Sequence, residues 1–414
     1  MIKNIKGTKD ILPNEIKIWQ YIEKNIHSFF QQYGYQEIRT PKFESTNLFN
    51  RSIGEDTDIV SKEMYSWIDQ GKNHLTLKPE STASVARAII QHNLYHINKV
   101  NRLYYIDSLF RRERPQKGRF RQFEQFGIEA VGSESPEQDV EIISMAYFFY
   151  KNMKISDISL KINSIGSLET RKKYKIALYD FLKNHKNTLS DISQKRLKTN
   201  PLRILDTKID FEKKIVKNAP KIIDFLDDKD REQFNFILNS LDALNIKYEV
   251  DHLLVRGLDY YSRTVFEIQS KLLGSQSALC GGGRYDYLIE ELGGKPTPAI
   301  GFAAGIERLI LSLNKDDFDS QFTPDIFIIS MGKDAINFSI QLANQLRSQN
   351  NLVVINNTTR GSLKTQMKDA NKSKANNAII IGDDEIENNQ IIIKNMITGE
   401  QTKVDFDKVE KYFK

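Results

Sequence analysis

Four stretches of the chain gather residues able to hold an anion or a small polar ligand. The first is Phe110-Arg111-Arg112-Glu113-Arg114-Pro115-Gln116-Lys117-Gly118-Arg119-Phe120-Arg121, where six of the residues from 111 to 121 are Lys or Arg. Guanidinium forks bind phosphate oxygens in pairs. A turn carrying several of them beside an aromatic and a Gln suits nucleotide phosphates or an RNA end, and the alternative is a solvated basic turn. The second stretch, Leu254-Val255-Arg256-Gly257-Leu258-Asp259-Tyr260-Tyr261, sets Arg, Asp and two Tyr in otherwise apolar, strand-like sequence. Polar tips on apolar bodies can line a small-ligand pocket. An aromatic core stripe with an Arg–Asp pair is the other reading. The third, Ala278 to Asp286, contains Gly281-Gly282-Gly283, which lets a backbone approach a ligand closely or makes a flexible turn. The fourth, Gly301 to Leu309, runs small residues into a helix bearing Glu307 and Arg308. Such a start can accept a flat ring or an anion.

Other chemistries find little support. Cys280 is the one cysteine. It can make neither an internal disulfide nor a cysteine zinc cluster, and no His lies near it in sequence to activate it. The six histidines are scattered, and only His92 and His96 stand at helical spacing, as expected of a surface pair. No Gly-x-x-x-x-Gly-Lys-Ser/Thr loop, no Gly-x-Gly-x-x-Gly after a strand and no His-Glu-x-x-His occurs.

The elements that must position these residues follow from periodicity. Trp19, Ile22, Ile26, Phe29, Phe30 and Tyr33 recur at spacings of three and four, which predicts a helix over 14–34 with Pro13 in its first turn and Gly34 as its stop. Residues 35–41 read as extended and 80–93 as a helix. Residues 102–131 predict two strands around the basic turn. In the second strand Phe126, Ile128 and Ala130 share one face, and Arg121, Gln125 and Glu129 share the other. Gln and Glu on a single face beside an Arg are unusual for a plain core face, though an exposed strand face would also accommodate them. Residues 168–248 are rich in Lys, Asp and Asn with helical periodicity, as in a helical insertion. Gln321-Phe322-Thr323-Pro324 reads as a boundary. Beyond it, strands at 326–329, 352–355 and 378–381 alternate with helices at 335–349 and 362–375, which indicates a small α/β domain with a parallel sheet. A hairpin is expected over 390–404 around Thr398-Gly399.

Length and composition bound the answer. The chain has 414 residues, a hydrophobic fraction of 40%, a charged fraction of 28% and a net charge of +6. That is ordinary globular composition for two or three domains, and it excludes collagen, disordered and disulfide-rich classes. No run of 18 apolar residues occurs, so no membrane span is expected. Met1-Ile2-Lys3-Asn4 leads into no apolar region before Gly7, so no secretory signal is expected. With a single cysteine, a cytoplasmic location is the expectation. The mild basicity alone says little about partners.

Taken in order, these segments resemble the histidyl-tRNA synthetases, a family of class II aminoacyl-tRNA synthetases, over the whole chain and in the bacterial form. Tyr33-Gly34-Tyr35 to Pro41 resembles class II motif 1, the dimer-forming segment. Phe110-Arg111 with the basic turn and Arg121-Gln122-Phe123 resembles motif 2, and Gly301 to Leu309 resembles motif 3. Arg256-Gly257-Leu258-Asp259-Tyr260-Tyr261 and Gly281-Gly282-Gly283-Arg284-Tyr285-Asp286 resemble the histidine-specific motifs, which are more specific than the class motifs. Asn200-Pro201-Leu202-Arg203-Ile204-Leu205-Asp206 resembles the insertion domain of the bacterial form.

The resemblance implies an α+β fold. A class II catalytic domain over 1–322 would carry a mixed, mainly antiparallel sheet flanked by helices and a helical insertion at about 170–248, and an α/β anticodon-binding domain would occupy 323–414. It implies that histidine attacks the α-phosphate of ATP, giving histidyl-adenylate, and that the histidyl group then passes to the 3′ end of its tRNA. Arg111 would hold the α-phosphate, Arg308 the γ-phosphate, and Glu113 would also face ATP. Arg256 would neutralise charge developing on the α-phosphate. Glu80 and Thr82 would lie near the substrate amino group, with Gln125, Glu129, Tyr261 and Tyr285 around the histidine. Arg114 and Gln116 would read the acceptor end of the tRNA. Mg²⁺ would arrive with ATP, and a homodimer is implied. Two non-catalytic readings share this fold: a regulatory subunit of ATP phosphoribosyltransferase, and a stress-sensing domain that binds uncharged tRNA.

Overall fold

The computed structural model describes residues 1–54, 57–314, 318 and 323–413. Gln321 and Phe322 of the expected boundary lie outside them. The chain divides into two compact units, Met1–Phe318 and Asp319–Lys414.

The first unit begins with α1 (Ile16–Gln32), β1 (Gln36–Glu37), β2 (Phe43–Ser45), α2 (Thr46–Ile53), β3 (Tyr65–Ile68), β4 (His74–Leu77) and α3 (Thr82–Gln91). Then come β5 (Asn101–Phe110), β6 (Gln122–Val131), α4 (Pro136–Asn152) and β7 (Ile158–Ser164). A helical segment follows with α5 (Leu168–Lys183), α6 (Asp191–Thr199), α7 (Asp210–Val216) and α8 (Asp228–Ala243). The chain returns through β8 (Tyr248–Val250), β9 (Ser262–Ser270), β10 (Ala278–Arg284), α9 (Leu288–Glu291), β11 (Ala299–Gly305) and α10 (Ile306–Ser312).

Among the described residues one sheet of eight strands dominates this unit, in the order β1-β5-β6-β11-β10-β9-β7-β8. Its six inner strands pair antiparallel, and only the edge pairs β1–β5 and β7–β8 are parallel. A smaller sheet, β2-β4-β3, lies apart from it. This is the mainly antiparallel sheet with flanking helices that the resemblance implies.

Two apolar layers fix the sheet. On one face Ile22, Ile26 and Phe30 of α1 pack with Phe149 of α4 and with Phe126 and Ile128 of β6, all with no exposed surface. Full burial of each such side chain contributes about 1.5–3 kcal/mol. On the other face Val85 and Ile89 of α3 join Tyr174, Leu178 and Leu182 of α5 in one continuous core, so the helical segment is built into the unit. Its last helix, α8, sends Phe234, Ile237 and Leu241 into the first layer.

The second unit contains β12 (Ile326–Ser330), α11 (Lys333–Asn350), β13 (Val354–Asn356), α12 (Leu363–Ser373), β14 (Asn377–Ile381), α13 (Asp383–Glu387), β15 (Gln390–Asn395), β16 (Gln401–Asp405) and α14 (Val409–Tyr412). Alternation along β12 sends Ile326 and Ile328 toward Leu342 and Leu346 of α11, and Phe327 and Ile329 toward Ala370 of α12. The expected parallel sheet needs correction. Strands β13, β12 and β14 are parallel, but the hairpin β15–β16 adds antiparallel strands to the same sheet. The strand expected at 352–355 begins only at Val354.

Smaller expectations also shift. Pro13 precedes α1, in a turn where the Leu12 carbonyl accepts from the N–H groups of Glu15 and Ile16. The stretch 252–261 forms no strand. Gly281-Gly282-Gly283 is neither loop nor turn but the middle of β10.

Candidate active site

The strands β5 and β6 form a hairpin whose connection is the basic turn, and β11, β10 and β9 continue the sheet beside it. Over this surface lies a cavity of about 320 Å³, lined in part by Glu80, Thr82, Arg111, Glu113, Arg119, Gln125, Glu129, Arg256, Tyr261, Glu267, Tyr285 and Arg308. Two glycines shape its floor. A side chain at Gly281 would collide with the Arg256 guanidinium, and one at Gly301 with the Glu129 carboxylate. Gly281 of β10 and Gly301 of β11 therefore let charged side chains lie close to central strands, which is the close-approach use of glycine.

One group of contacts is neutral and acidic. Period two along β6 aims Gln125 and Glu129 at the cavity while Phe126, Ile128 and Ala130 enter the core. Glu129 accepts hydrogen bonds from the Thr82 hydroxyl (2.7 Å) and the Tyr285 hydroxyl (2.5 Å). Burial pushes its pKa up to about 8, against the opposing pull of those two bonds. Glu80 stands just before α3, and its two oxygens accept from the free N–H groups of Thr82 and Ala83 (2.9 Å each). It thus satisfies donors that a helix start leaves unpaired, and a carboxylate retains further acceptor positions for a ligand. Its pKa is raised by burial as well. The rings of Tyr260, Tyr261 and Tyr285 pack together, with centroids 4.8 and 5.7 Å from that of Tyr260.

The other group is cationic. Arg111 donates from Nε to the Pro79 carbonyl (2.8 Å) and lies over the Phe123 ring at 5.4 Å. Glu113 sits between Arg111 (3.9 Å) and Arg119 (3.1 Å). Arg308, from α10, donates to the Ala278 carbonyl at 2.6 Å. Burial lowers its pKa, and the nearby Arg119 charge adds to the effect. Arg256 donates from Nη1 to Glu267 at 2.6 Å. Burial opposes its charge, but Tyr261 and Glu267 outweigh that and its pKa is raised. Such an array of fixed positive charge over a polar floor suits a polyphosphate. No group of three or more His, Cys, Asp or Glu gathers as a metal cage among the described residues.

Most of the anticipated residues converge on the cavity: Arg256, Arg111, Arg308, Glu113, Glu80, Thr82, Gln125, Glu129, Tyr261 and Tyr285 all line it. Arg114 and Gln116 do not. They are exposed in the turn, where Gln116 pairs with Arg119 as an isolated bridge. Arg121 is also misplaced by the alternation argument. It precedes β6, and its Nε reaches the Glu113 carbonyl (3.4 Å) instead of the cavity. Glu267 was not anticipated, and Arg119 and Tyr260 were named within their stretches but given no role of their own. Glu267 had a usable signal, because it alternates out of an apolar run in β9 flanked by Phe266 and Ile268. Cys280 is buried with its thiol pKa pushed up to about 12, mainly by burial, which fits an inert side chain.

Comparison with known proteins agrees along the chain. A family model described as Histidyl-tRNA synthetase matches residues 7–309, and one described as Anticodon binding domain matches 325–414. The Histidine--tRNA ligase of Caldanaerobacter subterraneus subsp. tengcongensis is 45% identical over 416 residues, with 100% of both chains covered. That of Halothermothrix orenii is 46% identical over 405 residues, covering 97% of this chain and 96% of its own. The crystal structure of apo S. aureus histidyl-tRNA synthetase superposes with a TM-score of 0.82 at 37% identity, covering 100% of each chain. With a family model spanning most of its length and relatives this similar from end to end, the chain belongs to the histidyl-tRNA synthetase family.

Proposed function

We propose that the chain catalyses histidine–tRNA ligation, activating histidine with ATP to histidyl-adenylate and transferring it to the 3′ end of its tRNA. The observation that carries this reading is the meeting of four arginines with a buried Glu–Thr–Tyr constellation in one cavity, in a chain whose end-to-end relatives are named for that ligation.

In the first step a histidine carboxylate oxygen forms a bond to the α-phosphorus and pyrophosphate leaves. Such a displacement needs positioning and charge stabilisation more than proton transfer. Arg111 and Arg256 serve the α-phosphate, and Arg308 serves the γ-phosphate. Glu113, paired with Arg111 and Arg119, also faces ATP and offsets the repulsion between those two arginines. Mg²⁺ enters with ATP as part of that substrate.

Glu129, Tyr261, Tyr285 and Gln125 surround the imidazole, while Glu80 and Thr82 face the amino group. A pocket that hydrogen-bonds both ring nitrogens discriminates against apolar amino acids by about 10⁴ or more, because its polar groups would otherwise stay unpaired. In the second step a hydroxyl of the terminal adenosine attacks the histidyl carbonyl carbon and AMP leaves. Arg114 and Gln116, exposed on the turn, meet the acceptor end of that tRNA. The second unit serves the anticodon, and the enzyme works in the cytoplasm as a homodimer.

Histidine-dependent ATP–pyrophosphate exchange tests the reading and separates it from the two non-catalytic alternatives. The intact chain is expected to show it and Arg256→Ala to lose it while staying folded. Exchange near the parent rate in that variant would remove Arg256 from the mechanism.

A further inference from the structure

The segment that carries Arg256 at one end and Tyr261 at the other has little structure of its own. Between Val250 and Ser262 the chain forms neither strand nor helix. Its own main-chain anchor in the middle is a long one, from the Asp259 N–H to the Ile53 carbonyl at 3.3 Å. Yet both ends must hold their side chains in the cavity. Something else has to fix the loop.

The helical insertion supplies those contacts. Arg203, in the turn after α6, donates to both oxygens of Asp259 at 2.9 Å each. Asn200 adds a bond from Nδ2 to Asp259 Oδ1 at 3.1 Å. Arg171 of α5 donates to the Tyr261 carbonyl at 2.7 Å. Gly54 leaves room for the Asp259 carboxylate, which a side chain there would strike. The Asp259 carboxylate is thus held by two side chains of the insertion and admitted beside a glycine. A partly exposed ion pair adds little stability. Here, however, one guanidinium nitrogen, Nη2, meets both carboxylate oxygens and the Asn200 amide meets one of them, so three contacts converge on one carboxylate, and the Arg203 side chain is only 15% exposed.

We propose that Arg203 and Asn200 are positioning residues: through Asp259 they hold the 256–261 loop so that Arg256 and Tyr261 point into the cavity. The insertion then acts on amino-acid activation itself, and not only as a peripheral module. The inference rests on the reading of the cavity as the histidine and ATP site only for its kinetic consequence, and its structural consequence stands apart from that reading.

The test pairs Arg203→Ala with the size-conserving Asp259→Asn and uses two measurements on the full chain. The first is amide hydrogen exchange without ligand. Residues 256–261 are expected to exchange about tenfold faster in either variant, while β9, β10 and β11 keep parent protection. The second is pyrophosphate exchange. The KM for histidine is expected to rise about tenfold through Tyr261, and kcat to fall about tenfold through Arg256. Unchanged loop exchange in the folded variants would overturn the proposal, and so would parent values of both kinetic constants in a variant whose loop exchanges faster. If the parent chain showed no histidine-dependent activity, the reading of the site would fall, and the amide measurement would still decide whether the insertion holds the loop.

Discussion

Glu129 gives the ligand-free protein a pH dependence whose size follows from its surroundings. Its pKa rises from 4.5 to about 8, chiefly because its carboxyl is buried. That span of about 3.5 pH units, at 1.36 kcal/mol each, sets a ceiling on the order of 5 kcal/mol. Relaxation and water entry reduce such penalties in real interiors, so about 1–3 kcal/mol is expected. The sign follows from linkage. The folded pKa lies above the unfolded one, so the folded protein holds this proton more tightly. The stability it contributes is fully present below about pH 4.5 and is lost as pH rises through about 8. Glu129→Gln keeps the shape and can still bond Thr82 and Tyr285, but it cannot ionise. Urea unfolding of the parent and the variant at pH 5, 6.5 and 8 reads the effect. The variant should gain on the parent by about 1–3 kcal/mol between pH 5 and 8. Parallel pH profiles would mean that Glu129 is ionised throughout, and the account of its burial would be wrong. In the same variant the KM for histidine should rise more than the KM for ATP, since on the proposed reading the lost carboxylate faces the imidazole.

Three more outcomes are expected. Gly281→Ala places a methyl group where the Arg256 guanidinium lies. Its adenylation rate should fall about a hundredfold with a melting temperature near the parent's, and an unaffected rate would show that Arg256 has room to move. Asp139→Ala leaves the buried Arg284 without its two-oxygen partner (2.8 and 3.0 Å from Nε). It should cost about 3–5 kcal/mol in denaturant unfolding, and a loss below 1 kcal/mol would mean that Asp286 and the nearby carbonyls suffice. Removing residues 323–414 should spare pyrophosphate exchange and weaken tRNA charging, and unchanged charging kinetics would separate that unit from tRNA recognition.

What could be read from the residues, and what could not, divides along physical lines. Gln125 and Glu129 were legible because alternation within a strand is rigid. Arg121 was not, because the same alternation was carried past the point where β6 begins. The basic turn was plain from composition, but composition does not say which of its guanidinium groups turn inward: Arg111 and Arg119 line the cavity, while Arg114 stays outside it. The 254–261 stretch looked like a strand from its apolar residues. Its conformation is instead set by side chains more than fifty positions away, such as Arg203 on Asp259. The parallel part of the second sheet showed in its strand–helix rhythm. The hairpin was expected too, but nothing local to it announced that it would join the same sheet.

The place where the helical insertion leaves and rejoins the sheet bears on how this architecture could change. Strands β7 and β8 run side by side in the same direction, Leu160 against Tyr248. A tight hairpin cannot join such neighbours; the polypeptide has to travel back the length of the strand first, which takes about a dozen residues or more. The insertion therefore occupies a bridge that the topology already required. Lengthening or exchanging its outer helices leaves that bridge intact, whereas trimming it to a short turn would detach β8 from the edge. Variation among homologues should accordingly concentrate in how the bridge is elaborated, with its two abutments kept in register.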